Sequence, residues 1–203
     1  MKRKGDWLAV FFLLAMVGLL VVFLDQFVAV TKAYPIPMGF LKVAILATFG
    51  EFVKTRRQTG EWRVSHLWQR FFVWGLFGIW FTFAFSLFRV GVDSGLIENS
   101  LWFAGASAFS KSLWINVLGG YGYIMMLTHE YCNHCIEGQK LVNPVEFGEK
   151  IDKKVWFKTI PLTILIFWIP AHTLTFSLPP VFQVLCAAFL SVALGFILTF
   201  KKK

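Results

Sequence analysis

Residues 156–200 read WFKTIPLTILIFWIPAHTLTFSLPPVFQVLCAAFLSVALGFILTF. Two apolar runs, 162–176 and 181–200, are joined by Ser177-Leu178-Pro179-Pro180. A hairpin this long and this apolar has nowhere to hide in a soluble domain of such size. It fits a bilayer, whose hydrocarbon core takes about 20 apolar residues per helix. The stretch therefore predicts two membrane-crossing helices, 156–176 and 181–200.

Pro170 removes one backbone donor and leaves the carbonyl of Ile166 in need of another, because lipid offers none. Thr159, Thr163, Pro170, Thr173 and Ser177 share one face at helical spacing, with His172 and Thr175 beside it. Such a stripe either packs helices together or faces a wet cavity, and the residue types fit both. On the last helix, Ala187, Ser191, Gly195 and Thr199 form a ladder of small residues that lets backbones approach closely.

Pro170, Thr173, Phe176, Pro179 and Gln183, followed by an apolar helix with Ser191, carry a family resemblance. The pattern resembles the C-terminal signature of the Mpv-seventeen family, which includes the peroxisomal twenty-two-kilodalton membrane protein. Where that signature has Trp-Pro, this chain has Trp168-Ile169-Pro170. Thr173 stands at its Gln position and Gln183 at its Arg position, and its Asn is absent. The resemblance spans about a quarter of the chain and implies a divergent member. It further implies a channel or small-solute permeability protein.

Composition supports a membrane class. The chain is 57% hydrophobic and only 15% charged, against about a quarter charged for soluble domains. Its mean hydropathy is +0.65. The net charge of +9 sits in short segments between apolar runs. Membrane orientation explains that placement better than nucleic-acid binding does. No nucleotide loop, nucleophile elbow or zinc-protease motif occurs, so neither an enzyme nor a cofactor is expected.

The remaining runs predict helices over 7–30, 38–54, 67–90 and 110–131, with a polar loop at 136–155. Within that loop, 144–154 suits a short amphipathic helix. The expected fold is an all-α integral membrane protein in one domain, a bundle of about six transmembrane helices. A four-span core with flanking helices is the alternative. Glu51 lies near the end of the second helix and is expected to pair with Lys54 or a neighbouring helix. Gly75 and Gly78 give the third helix a small packing face. Asn116 sits inside the fourth span, where an amide usually bonds across helices.

His129-Glu130-Tyr131-Cys132-Asn133-His134-Cys135 is the stretch closest to site chemistry. Its residue types suit zinc, but no second Cys-x-x-Cys exists and His129, Cys132 and Cys135 would climb a helix axis. No metal is expected. The thiols read as free.

Six spans put both termini on one side. That side would hold sixteen Lys and Arg, leaving Lys32, Lys42, Arg89 and Lys111 on the other. By the positive-inside rule both termini are cytoplasmic, at an inner membrane if the source is bacterial. The partners expected are the bilayer and a small solute, with a homo-oligomer allowed. Asn116, Thr163, Pro170, His172, Thr173 and Glu51 are the candidate pore or packing residues, and Gly75, Gly78, Ala187, Ser191 and Gly195 the small face. A channel or transporter comes first, a non-conducting scaffold second, and the substrate-capturing subunit of a larger transporter third.

Overall fold

Prolines and glycines punctuate the helices, and their positions decide where each begins and stops. The computed structural model describes residues 2–95 and 105–197. Among these, every regular element is helical. Helix α1 spans Lys2–Val22 and α2 spans Leu24–Ala33. The expected helix 7–30 is thus interrupted at Phe23, whose φ of −108° and ψ of 32° leave the helical region. Tyr34 ends α2 because a residue before proline is pushed out of the helical region.

Helix α3, Pro35–Thr59, starts earlier and ends later than the expected 38–54. Both prolines fit its first turn, where no N–H is needed. Gly60 closes it with φ 79°, donating its N–H to the Arg56 carbonyl at 2.9 Å. Helix α4 spans Leu67–Asp93.

The expected helix 110–131 is not continuous. Helix α5, Ala108–Leu113, is capped by Ser107, whose side chain accepts from the Ser110 N–H. It runs into a π-helical turn, Trp114–Leu118, and stops at Gly119 and Gly120. Gly120 has φ +67°, which a residue with a side chain rarely adopts. Helix α6, Tyr121–Gly138, then starts on a new line. The Cys132–Cys135 stretch therefore lies within a helix and not at its end.

The polar segment folds into α7, Pro144–Lys150, shorter than the expected 144–154. Helix α8, Val155–Ser177, follows. Helix α9 is described over Pro180–Ile197. Residues 198–200 of its expected span, with Thr199, lie outside the described residues, as do 96–104.

Among the described residues, four helices are long and apolar enough to cross a membrane: Lys4–Val22, Pro35–Thr59, Leu67–Asp93 and Val155–Ser177. Helix α9 contributes a shorter apolar stretch, Pro180–Ala193.

Helix α3 is central, packed along α4 on one side and α9 on the other. Helix α5 lies against the second half of α8. The main core includes Val43, Leu46, Phe77, Phe85, Ile115 and Ala188. Trp156, Ile160 and Ile164 of α8 form a smaller cluster against α6. Helix α1 is tied down at its start. Asp6 accepts from Arg56 Nε and Nη2 at 2.6 and 2.7 Å and from Trp62 Nε1 at 2.9 Å.

The closest backbone approach joins α3 and α4. A Cβ on Gly78 would collide with the Gly39 carbonyl, and one on Gly75 with the Phe40 ring. Between α3 and α9, a Cβ on Gly50 would sit 3.0 Å from the Ser191 carbonyl oxygen. Gly78→Val should cost about 1–3 kcal/mol by overpacking, read as a lowered thermal midpoint in detergent. Gly18→Ala, with nothing within 4 Å, should leave the midpoint unchanged or raised.

Candidate functional site

Helix α8 carries Pro161 and Pro170, and each disturbs the turn before it. Proline lacks an N–H and its ring crowds the carbonyl four residues back. The helix answers by widening into π turns at Val155–Thr159 and Ile164–Trp168. There the N–H of Ile160 reaches back five residues to the Val155 carbonyl, and that of Ile169 to the Ile164 carbonyl. In this register Pro161 would have served the Trp156 carbonyl. The Tyr123 hydroxyl of α6 donates to that oxygen instead, at 3.1 Å.

Around Pro170 the outside donors come from α5. The Ser112 hydroxyl donates to the Ile169 carbonyl at 2.7 Å. Asn116 Nδ2 lies 3.5 Å from the Trp168 carbonyl, at the long limit of a hydrogen bond. These bonds reach Trp168 and Ile169 and not Ile166, the carbonyl that Pro170 leaves without its helical partner, so the expected rescue is not what they supply.

Asn116 sits in the π turn of α5 and is 2% exposed. Its Nδ2 donates to the Ser112 carbonyl at 2.9 Å. Its Oδ1 lies 3.1 Å from His172 Nδ1. An amide oxygen only accepts, so His172 Nδ1 carries the proton and Nε2 is left as an acceptor. The His172 ring stands edge-on to Phe85 at 5.3 Å and beside Trp168 at 5.2 Å. Gly122 leaves room for this pair, since a Cβ there would approach Asn116 Oδ1 to 3.0 Å.

Asn116, His172 and Phe85 line a partly open cavity of about 450 Å³ between α3, α4, α6, α7, α8, α9 and the π turn after α5. Thr163, Ala187 and Ser191 also line it. Glu51, Lys54, Glu130 and Lys150 line it too, charges of both signs. Four of the six polar candidates, Asn116, Thr163, His172 and Glu51, thus meet on one cavity.

Pro170 and Thr173 do not share that cavity, so the expected single stripe is corrected. Pro170 is exposed, and the Thr173 hydroxyl turns back to its own Ile169 carbonyl at 2.8 Å. Ser177 is exposed as well. The π turns rotate the inward face onto Trp156, Ile160, Ile164, Ile169 and His172. Of the small face, Gly75, Gly78 and Ser191 make the contacts already given, and Ala187 is buried beside the cavity. The surroundings of Gly195 lie outside the described side chains.

Glu51 is not a bare carboxylate. Its oxygens lie 3.7 Å from Lys54 Nζ, 3.8 Å from Arg70 Nη1 and 3.8 Å from His129 Nε2. Both expected pairings, with Lys54 and with a neighbouring helix, are present.

Sequence reasoning missed Arg70, which falls inside the expected helix 67–90 and counted only among the sixteen basic residues of the cytoplasmic side. It is 6% exposed. It donates to the Ser65 carbonyl at 3.0 Å, to Asn133 Oδ1 at 3.0 Å and to Glu137 at 3.2 Å. Its signal was its position inside an aromatic run, ahead of Phe71 and Phe72.

His129 is flanked by Trp74 at 4.4 Å and Phe77 at 5.9 Å. It faces Glu51, and Cys132 and Cys135 climb α6 beyond it. Among the described residues no group of three His, Cys, Asp or Glu side chains could hold a metal ion. Cys132, Cys135 and Cys186 are free thiols.

A second cavity, of about 540 Å³, opens at the opposite end of the bundle between α2, α3, α4 and the start of α9. Lys32, Lys42, Thr82 and Gln183 line it, and Phe85 lines both cavities.

No family model, no curated protein and no solved structure matches the chain.

Arg70→Met should cost about 1–3 kcal/mol, since the Ser65 carbonyl and Asn133 Oδ1 lose a donor and buried Glu51 keeps only Lys54 as a cation beside it. Pairing it with Glu51→Gln should recover part of that loss in detergent unfolding. Tyr123→Phe should cost about 1–3 kcal/mol in the same measurement by leaving the Trp156 carbonyl without a donor.

Proposed function

We propose that the protein is an integral membrane protein through which small solutes pass. The observation that carries this reading is the cavity of about 450 Å³ with the buried Asn116–His172 pair in its wall. Polar groups and irregular backbone at membrane depth are tolerated against protein or a wet lumen, not against lipid. Here residues from all three π turns, Asn116, Trp156, Thr159 and Trp168 among them, line one cavity. The cavity falls within the range of small-molecule sites, about 300–1,000 Å³.

In this reading the chain crosses the bilayer six times, with α1–α2, α3, α4, α5–α6, α8 and α9 as the passes. Arg56, Arg57, Arg70 and Lys150 then share the cytoplasmic side with the N-terminal Lys4, as the positive-inside rule favours. The C-terminal resemblance to the Mpv-seventeen family points to the same class of function. Neither catalysis nor a cofactor is part of the proposal.

A non-conducting scaffold is the second reading. It is favoured by the hydroxyls of Thr163, Thr173 and Ser177, which all bond back into their own helix. The substrate-capturing subunit of a larger transporter is the third.

Release of graded neutral solutes from liposomes holding the purified protein separates these readings. Size-limited release is expected, changed severalfold by His172→Ala and by Thr163→Val while the thermal midpoint holds. Tight liposomes around folded protein would overturn permeation and leave the scaffold.

A further inference from the structure

The cavity at the opposite end from Arg70 has an unusual charge balance. Lys32 and Lys42 line it, and among the described residues no acidic one does. Lys42 is 7% exposed, although it stands within α3, roughly 10 Å from the helix start at 1.5 Å per residue. An ammonium that deep in an apolar bundle ordinarily pairs with a carboxylate, because the isolated charge is costly to desolvate.

Among the described residues Lys42 has no such partner. Its Nζ reaches the Val181 carbonyl at 3.4 Å and sits over the Phe27 ring at 4.5 Å. An ammonium has three donors, so these contacts leave it undersatisfied. The nearby described acids do not help. Asp93 is held by Lys111 at 2.6 Å, and Asp25 is exposed on α2. The contrast with the first cavity is direct, since Glu51, Glu130 and Asp152 offset the cations there.

The other polar groups around the second cavity are neutral. Gln183 is 3% exposed and donates through Nε2 to the Leu178 carbonyl at 3.1 Å. The Thr31 hydroxyl is buried without a partner. Pro35, Pro179, Val181 and Val184 supply apolar wall. About 540 Å³ is more than an inorganic ion fills.

We infer that this cavity is a binding site for a small organic anion, with Lys42 as the residue that holds its charged oxygens. A carboxylate or a phosphate ester carries the required chemistry. The inference rests on the permeation reading only where it names the class of solute that passes. Binding itself tests the site. Phe85, the residue common to both cavities, would then separate the anion site from the Asn116–His172 cavity.

The test is thermal unfolding of the full-length protein in detergent, titrated with sodium succinate, sodium phosphate or sodium chloride at constant ionic strength. At about a hundredfold excess over its dissociation constant, a bound anion should raise the midpoint by several degrees. Succinate or phosphate is expected to give a saturable rise in the wild type and in Lys42→Arg, but none in Lys42→Met. The one that saturates first names the head group, and chloride should not saturate. Because Lys42→Met removes a buried charge, its own midpoint in chloride serves as its reference. No saturable rise with any of the three, or an equal rise in Lys42→Met, overturns the site even if liposomes leak. Saturable, Lys42-dependent binding alongside tight liposomes supports the site and removes only its role in permeation.

Discussion

A proline inside a helix that is shielded from water leaves a carbonyl its own helix cannot serve, and α8 contains two such prolines. The surrounding architecture follows from the donors this demands. Tyr123 must stand opposite Trp156, which fixes α6 against the first half of α8. Ser112 donates to Ile169, which fixes α5 against the second half. One straight helix cannot do both. The π turn at Trp114–Leu118 and the break at Gly119-Gly120 let the chain change line between the two contacts. Asn116 stands at the bend, bonded to Ser112 on one side and His172 on the other. The cavity is the space left where these helices part.

Much of this was legible as apolar runs bounded by turn residues. Pro35, Gly60 and Pro180 sit at or next to helix ends, where their backbone chemistry puts them. Asn116 and His172 announced themselves as polar residues in apolar spans. Their pairing did not, because it needs the relative register of two helices, and period alone holds no such information. The stripe on α8 was misjudged for a definite reason. A face drawn at 3.6 residues per turn assumes an unbroken helix. Each π turn adds about one residue, or roughly 100° of rotation. That is enough to carry Pro170 and Ser177 outward while Ile169 and His172 turn inward. Arg70 escaped because it lies near a helix start, where a basic residue usually reaches water.

The two ends of the bundle treat charge differently. Around Glu51, two cations, the His129 ring and a web of hydrogen bonds through Arg70 join α3, α4 and α6. The value of that web lies in mutual compensation, since removing either sign strands the other. Around Lys42 the bonds go to a carbonyl and an aromatic face, neither of which neutralises it. One end is an electrostatic clamp and the other an unbalanced pole.

The glycine contacts between α3 and α4 have different evolutionary meanings. A side chain at Gly78 would meet the backbone oxygen of Gly39, an atom present whatever residue stands there. No compensating exchange on the opposite helix can make room, so position 78 should be invariant among relatives, not covariant. A side chain at Gly75 would meet the ring of Phe40, and a ring can be traded for something smaller. Positions 75 and 40 are therefore free to drift as a pair, and the helix pair holds one lock that cannot change beside one that can.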